Sequence, residues 1–415
     1  MTPAARVQMT IEIVEALETT AQPTDRFLKA WFRTRRFAGS GDRRAIAERV
    51  FAVQRHHAAL AHRMGDERPR ALMIAALLEG GENVEGLFTG GYGPAPLSDA
   101  ERSAIAATPA PAPDWVHGEY PPWLESELAR AFGGRLVEEM QAFIGRAPTD
   151  LRVNTLKAAR DEVLQALQTQ GVTAAPTPYA VHGIRIAGDA GSLSETPLFK
   201  SGAFEIQDEA AQIAAQLCEA KPGMRVLDLA AGAGGKSLAL AAAMENKGEI
   251  IACDVRGDAL AELEKRAARA GVTIIKTLIL DHTQPAGPFD LVLVDAPCSG
   301  TGTWRRQPEL RWRLTPARLA ELTALQDRLL DRAATLTAPG GRLVYATCSI
   351  LPVENQDRVA GALARHPGFS LADLGQAWPV NQPPGPMIPG LGQDFRASPA
   401  LTGTDGFYCA GLRRE

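Results

Sequence analysis

Two thiols stand at matching places in this chain. The apolar run Leu291-Val292-Leu293-Val294 reads as a buried strand. It ends on the carboxylate of Asp295, and a stiffening Pro297 and then Cys298 follow. Fifty residues later a second apolar run, 342–346, ends on Thr347-Cys348-Ser349. Each sulfur is therefore predicted just past the carboxyl end of a strand, the edge at which open α/β sheets bind ligands. A lone cysteine is most simply a small buried hydrophobe. Two in turn-forming tripeptides at equivalent strand ends are harder to explain by packing. A thiolate is a strong nucleophile near neutral pH, so the pattern predicts a site that attacks an electrophile and later lets it go.

A second constellation lies upstream. After a predicted strand at 225–229 comes the small-residue turn Ala230-Ala231-Gly232-Ala233-Gly234-Gly235-Lys236, which lets backbone approach a ligand at a helix start. The spacing is neither a clean P-loop, since Gly235 follows Gly232 by only three residues, nor a clean dinucleotide fingerprint. Acids then follow the next strands in register: Asp254, with Arg256 counted beside it, then Asp281, then Asp295. Asp254 lies where a ribose diol needs an acceptor, and Asp281 where an adenine amino group can donate. Any one of these acids can simply cap a turn. Together they predict a nucleoside cofactor with no pyrophosphate to cradle, which fits S-adenosyl-L-methionine.

An activated methyl group beside two thiols suits carbon-5 of cytosine. That carbon is too weak a nucleophile until a thiolate adds to carbon-6 and makes the ring an enamine. Proton donation to ring N3 helps the addition, a role for Asp295 if its pKa is raised. After methyl transfer the carbon-5 proton must leave, and a second thiol is suited to take it.

With these residues in view, the sequence resembles the RNA cytosine-C5 methyltransferases, most closely the bacterial ribosomal RNA methyltransferase B type. The stretches that carry the resemblance are RVNTLK (Arg152–Lys157), FEIQDEAAQI (Phe204–Ile213), LDLAAGAGGK (Leu227–Lys236), DAPCSGTGTWRRQPELRW (Asp295–Trp312), YATCSILPVENQ (Tyr345–Gln356) and DGFYCAGL (Asp405–Leu412). The resemblance implies that Cys348 is the nucleophile and that Cys298 assists release. It places Lys236 and Asp295 with them, and has the Gly-rich turn and the acids at 254, 281 and 295 line cofactor and base. One departure stands out. The family usually carries Ala-Pro-Gly-Gly-Lys where this chain has Gly232-Ala233-Gly234-Gly235-Lys236, so a looser hold on the cofactor is expected.

The elements that must position these groups follow from periodicity. Helical patterns at 7–18, 25–35, 43–64, 70–78 and 121–143 predict an all-α domain over 1–145, with 80–113 a loop. That domain is similar to the NusB RNA-binding fold, a match carried by Gly41-Asp42-Arg43-Arg44 and the helix after it. A strand at 152–155, a helix at 160–171 and a strand at 183–187 predict a small α+β RNA-binding subdomain over 146–200. From 201 to 415 strands alternate with helices, the last strand at 406–412 following a proline-rich loop at 382–389. This predicts a doubly wound, Rossmann-like methyltransferase domain, so the expected class is α/β with a helical domain in front.

Composition narrows the partners. Five cysteines in 415 residues suit a reducing compartment and exclude a disulfide scaffold. The histidines show no ligand spacing, so no metal is expected. No signal peptide and no span of membrane length is visible, so a cytoplasmic protein without a membrane partner is expected, acting as a monomer. Net charge is −4, yet twelve Lys/Arg stand against four acids between Arg26 and Arg70. That patch is either a solvated helix face or a phosphate-binding surface. Trp304-Arg305-Arg306 and Arg311-Trp312-Arg313 suit stacking on single-stranded RNA, or else simply pack their loop. The expected partner is ribosomal RNA. Transfer RNA with the same chemistry, and a non-catalytic RNA-binding assembly factor, are the alternatives.

Overall fold

The computed structural model describes residues 1–188, 191, 193–280, 284–378 and 388–415. They divide into two compact units: Met1–Arg146 with Trp304–Leu314, and Ala147–Thr303 with Thr315–Glu415.

The first unit is helical. Helices Pro3–Glu18, Thr24–Thr34, Ser40–Arg55, His57–Met64 and Pro69–Glu79 close around Val7, Ile13, Ile46, Val50, Leu72 and Ile74. The predicted helix at 43–64 is two helices that meet at His56. The break frees amides at the start of the second helix. The buried carboxylate of Glu119 accepts from Ala58 N at 2.8 Å and Ala59 N at 2.9 Å, satisfying donors a helix start leaves open. Burial pushes that carboxyl up to about 7. The predicted loop at 80–113 contains a helix, Asp99–Ala106, opened by a reciprocal cap between Ser98 and Glu101. The predicted helix at 121–143 is broken at Gly133, whose φ of 56° no helix tolerates.

Of the two readings of Trp304 and its arginine neighbours, a stacking surface or packing, Trp304 and Arg311 follow the second. Trp304 and Arg311 are fully buried in the first unit, the guanidinium 5.0 Å from the indole centroid. Trp312 lies 4.6 Å from the His57 ring, and Arg313 donates to the carbonyls of Leu17 and Gln22. Packing takes these aromatics because it removes large apolar area from water.

The second unit holds two sheets. In chain order the strands are β1 Thr149–Val153, β2 Ala174–Pro176, β3 Gly183–Ile186, β4 Phe204–Ile206, β5 Arg225–Asp228, β6 Glu249–Asp254, β7 Ile275–Ile279, β8 Phe289–Asp295, β9 Thr337–Thr347, β10 Phe369–Ala372, β11 Asp394–Ala397 and β12 Phe407–Arg414. The small sheet is antiparallel in the order β2-β3-β1-β4, and Val163 and Leu167 of the helix Arg160–Thr169 pack on it. Residues 147–200 fall within the second unit.

The large sheet runs β10-β12-β9-β8-β5-β6-β7, with β11 on β12. Strands β5 to β9 are mutually parallel; β12 pairs antiparallel with β9, and β10 and β11 each pair antiparallel with β12. This is the expected doubly wound α/β fold. Strand order reverses between β5 and β8, so a cleft opens at their carboxyl ends. The predicted proline-rich loop at 382–389 lies outside the described residues except for 388 and 389.

The stretch RVNTLK does structural work. Arg152 Nη1 donates to Gln207 Oε1 and, at 2.5 Å, to Gly235 O. Asn154 Nδ2 donates to Gly202 O and Ala270 O. The small sheet is thereby fastened to the Gly-rich turn.

Candidate active site

Strands β8 and β9 pair with Asp295 opposite Ala346, so the turns beyond them lie side by side. This register brings Cys298 Sγ to 3.4 Å from Cys348 Sγ. Both are partly exposed, whereas Cys218, Cys253 and Cys409 are buried. Gly302 N donates to Cys348 O at 2.9 Å. A Cβ on Gly302 would stand 2.8 Å from that carbonyl and closer still to Gly406 O, so only glycine lets the two turns meet. The Cys298 thiol is pushed well up by its hydrogen bond to Cys348, and burial adds to the effect. Cys298 therefore holds its proton tightly, and either sulfur can donate in the contact between them.

Lys236 belongs to the first turn of the helix Gly235–Ala243, where a cation is unfavourable. Its Nζ donates to Asp295 Oδ2 at 2.6 Å. Burial works against the ammonium, but the Asp295 carboxylate outweighs it and the charge of Cys348 adds, so the Lys236 pKa stands above its ordinary value.

A cleft of about 610 Å³ adjoins this pair, lined among others by Ala230–Ala233, Gly235, Asp254, Val255 and Arg256. Asp254 accepts from Gly232 N at 2.8 Å and from Arg256 N at 2.9 Å, and Arg256 Nε closes on the same carboxylate at 3.1 Å. Burial raises this carboxyl, but those donors prevail and hold it below its usual range. Val255 is 71% exposed, an uncovered apolar surface beside an acid at the end of β6. An apolar plate next to a carboxylate acceptor and a Gly-rich turn fits a nucleoside. Gly234 has φ 78°, and a Cβ there would strike Leu263, which fixes the turn's course. Asp281 lies outside the described residues.

Below the turn Asp228 is buried and accepts from Ser237 Oγ at 2.6 Å. Burial lifts its carboxyl to about 7. Unfolded, it titrates near 4. The folded state binds the extra proton, so its contribution is complete below about pH 4 and is lost as pH rises through 7. Denaturant titrations at pH 5 and 8 should show stability falling with pH. Asp228→Asn should flatten that fall by up to about 3 kcal/mol, since only about two pH units separate pH 5 from the raised pKa of about 7.

Sequence reasoning missed one group of residues here. Glu354, Asn355 and Gln326 are buried polar groups that hydrogen-bond to the two thiol turns. Glu354 and Asn355 stood within YATCSILPVENQ, at the start of a stretch, 353–365, that reads as a helix. An acid and an amide two and three residues past Pro352 were the available signal.

A parallel sheet with a Gly-rich turn after β5, an acid ending β6 and a nucleoside-sized cleft between them is the fold of the Rossmann-like S-adenosylmethionine-dependent methyltransferases. Comparison with known proteins narrows this class. The family profile described as 16S rRNA methyltransferase RsmB/F matches residues 215–413, and the ferredoxin-like domain of RsmF/B-like methyltransferases matches residues 120–191. The probable ribosomal RNA small subunit methyltransferase B of Synechocystis sp. is 38% identical over 253 residues, covering 60% of this chain and 57% of that protein. The ribosomal RNA small subunit methyltransferase B of Pseudomonas putida is 33% identical over 302 residues, covering 72% of this chain and 67% of that protein. Of the former, then, the match spans less than two thirds. Among solved structures, PH0851 superposes over 100% of this chain and 99% of its own, with TM-score 0.78 and 27% identity. A methyltransferase homologue from Pyrococcus horikoshii covers 73% of this chain and 98% of its own, with TM-score 0.61 and 28% identity. The chain belongs to the 16S rRNA methyltransferase RsmB/F family.

Proposed function

We propose that this protein methylates carbon-5 of a cytidine in small-subunit ribosomal RNA, acting in the cytoplasm as a single chain. The observation that carries the reading is the pair of sulfurs 3.4 Å apart beside the Lys236–Asp295 pair. The names of the relatives supply the RNA class.

The Gly-rich turn, Asp254 and Val255 hold S-adenosylmethionine, which supplies an electrophilic methyl group when bound. The sulfur of Cys348 bonds to carbon-6 of a cytosine lifted out of its stack. The electrons of the 5,6 double bond move toward ring N3, which takes a hydrogen bond from the Lys236–Asp295 pair. The Lys236 pKa, held high by the carboxylate beside it, supports the Lys236 ammonium as the donor. Carbon-5, now electron-rich, takes the methyl. Once Cys348 is a thioether it no longer raises Cys298, which is partly exposed and gives its proton to solvent water. The Cys298 thiolate accepts the carbon-5 proton. The electron pair left behind restores the double bond and expels Cys348 as thiolate.

The purified protein, incubated with cofactor and either ribosomal or transfer RNA, tests this by bisulfite sequencing. New bisulfite-resistant cytidines in the small-subunit RNA are expected. Resistance appearing only in transfer RNA, or in neither, contradicts the reading.

The helical unit is proposed to bind RNA through part of its basic run, and the small α+β segment to help hold the strand. Much of the run is already committed. Arg49 pairs with Glu82, Arg68 with Asp66 and Arg70 with Glu101. Arg63 donates to backbone carbonyls, and Arg43 Nε to Ala38 O at 2.8 Å. Arg26, Lys29 and Arg33 are exposed along one side of the helix Thr24–Thr34, and Arg36, Arg44 and the 70% exposed Phe37 follow in sequence. Arg33→Glu with Arg44→Glu should weaken RNA binding and flatten the salt dependence. Each lost phosphate contact should remove about 0.7–0.9 from the slope of log K against log salt. Unchanged affinity and slope would make the run a solvated face.

A further inference from the structure

The two thiol turns are joined beneath their sulfurs by one carboxylate. Glu354 is fully buried. Its Oε1 accepts from Ser299 N at 2.8 Å and Gln326 Nε2 at 3.0 Å, and its Oε2 from Ser299 Oγ and Ser349 Oγ, each at 2.5 Å. Ser299 follows Cys298 in the chain, and Ser349 follows Cys348. Gln326 also donates to Pro297 O at 2.9 Å, on the other side of Cys298. Asn355 repeats the arrangement on the second turn, donating to Ser349 O at 2.9 Å and accepting from Thr347 Oγ1 at 2.6 Å. Tyr345 Oη donates to Glu354 O, which pins the clamp to β9.

A buried carboxylate is costly unless its lone pairs are filled. Here four donors fill them, and three of the four come from the residues next to the thiols. A carboxylate satisfied in this way fixes one geometry, since any shift leaves a buried donor or acceptor unpaired. The fold alone does not demand this group. The register of β8 on β9 already aligns the strand ends, and an apolar plug would fill the space. What the carboxylate adds is a fixed relation between two turns that register controls only up to Asp295 and Thr347.

We propose that Glu354 is a positioning residue for the methyl-transfer reaction, holding the Cys298 and Cys348 turns in register so that one sulfur stays within reach of the other's substrate adduct. The inference rests on the roles proposed above for the two cysteines. A misplacement of about 1 Å in such a site can cost on the order of 10²-fold in rate.

Glu354→Gln keeps the volume and replaces an acceptor with a donor, and Glu354→Asp keeps the charge on a shorter arm. The expected result for Glu354→Gln is a kcat reduced about 30-fold or more. KM for RNA and the cofactor Kd should stay within about threefold, and Glu354→Asp should recover part of the loss. In a Cys298→Ala background, adding Glu354→Gln should slow covalent RNA–protein adduct formation at least about tenfold. A second readout needs no RNA. Diamide should oxidise Cys298 and Cys348 to a disulfide in the wild-type protein, itself becoming the hydrazine, and at least about tenfold more slowly in Glu354→Gln. Equal disulfide rates overturn the positioning role, as does a kcat loss that merely tracks lost cofactor binding or a lowered melting temperature. If Cys298→Ala alone gives no adduct while the disulfide rates differ as expected, the cysteine roles fail and the clamp stands.

Discussion

Cys348→Ala is expected to reduce methylation by at least about 10³-fold, to the floor of the assay. Without a sulfur to add to carbon-6, carbon-5 stays too weak a nucleophile for the methyl group, and no other described residue of the site replaces it. The neighbouring thiol cannot substitute. Its turn is fixed through Ser299 and Pro297, which holds its sulfur away from the position of Cys348. Cofactor binding should survive, because the cleft is lined by the Gly-rich turn, Asp254 and Val255 and not by Cys348. Calorimetry should therefore give a cofactor Kd within about threefold of wild type while labelled methyl incorporation disappears. Turnover above a few per cent would remove Cys348 from its assigned role. Loss of cofactor binding would mean that the substitution had damaged the cleft instead.

Cys298→Ala is expected to do the opposite to the covalent step. Addition and methyl transfer need Cys348, the Lys236–Asp295 pair and the cofactor, all of which remain. Elimination needs a base for the carbon-5 proton. With the sulfur 3.4 Å away removed, the adduct should accumulate. Denaturing electrophoresis should show a slower band, sensitive to ribonuclease, that grows with cofactor and RNA. Wild-type protein under the same conditions should show little of it. Cys298→Ala/Cys348→Ala should show none, which separates a specific bond from adventitious cross-linking.

The parts of this site that could be read from the chain are those whose chemistry is local. A thiol after a strand that ends on an acid or threonine declares itself, and so do a Gly-rich turn after β5 and the acid ending β6. The sheet followed from alternation. Its antiparallel margin was harder, since β10 and β11 are each only four residues long. What could not be read depends on distance in the chain. Glu354 meets Ser299 across 55 positions, and nothing in the helical pattern after Pro352 marks it as a bridge. Trp304 and Trp312 suggested an RNA surface because aromatic and basic residues alternate there. Burial in the helical unit uses the same residue types, and only packing distinguishes the two. Arg43 and Arg44 looked equivalent in sequence, yet Arg43 is spent on the Ala38 carbonyl while Arg44 is exposed. The proton-bearing member of the Lys236–Asp295 pair likewise depends on a 2.6 Å contact made across 59 residues.

The most direct test of the covalent mechanism is mass spectrometry of the Cys298→Ala adduct after trypsin and ribonuclease digestion. The bound nucleotide is predicted on the peptide 343–358, whose single cysteine is Cys348, with the added mass of a cytidine nucleotide plus one methyl group. A nucleotide on any other peptide, or none on a protein that still methylates RNA, would contradict the account.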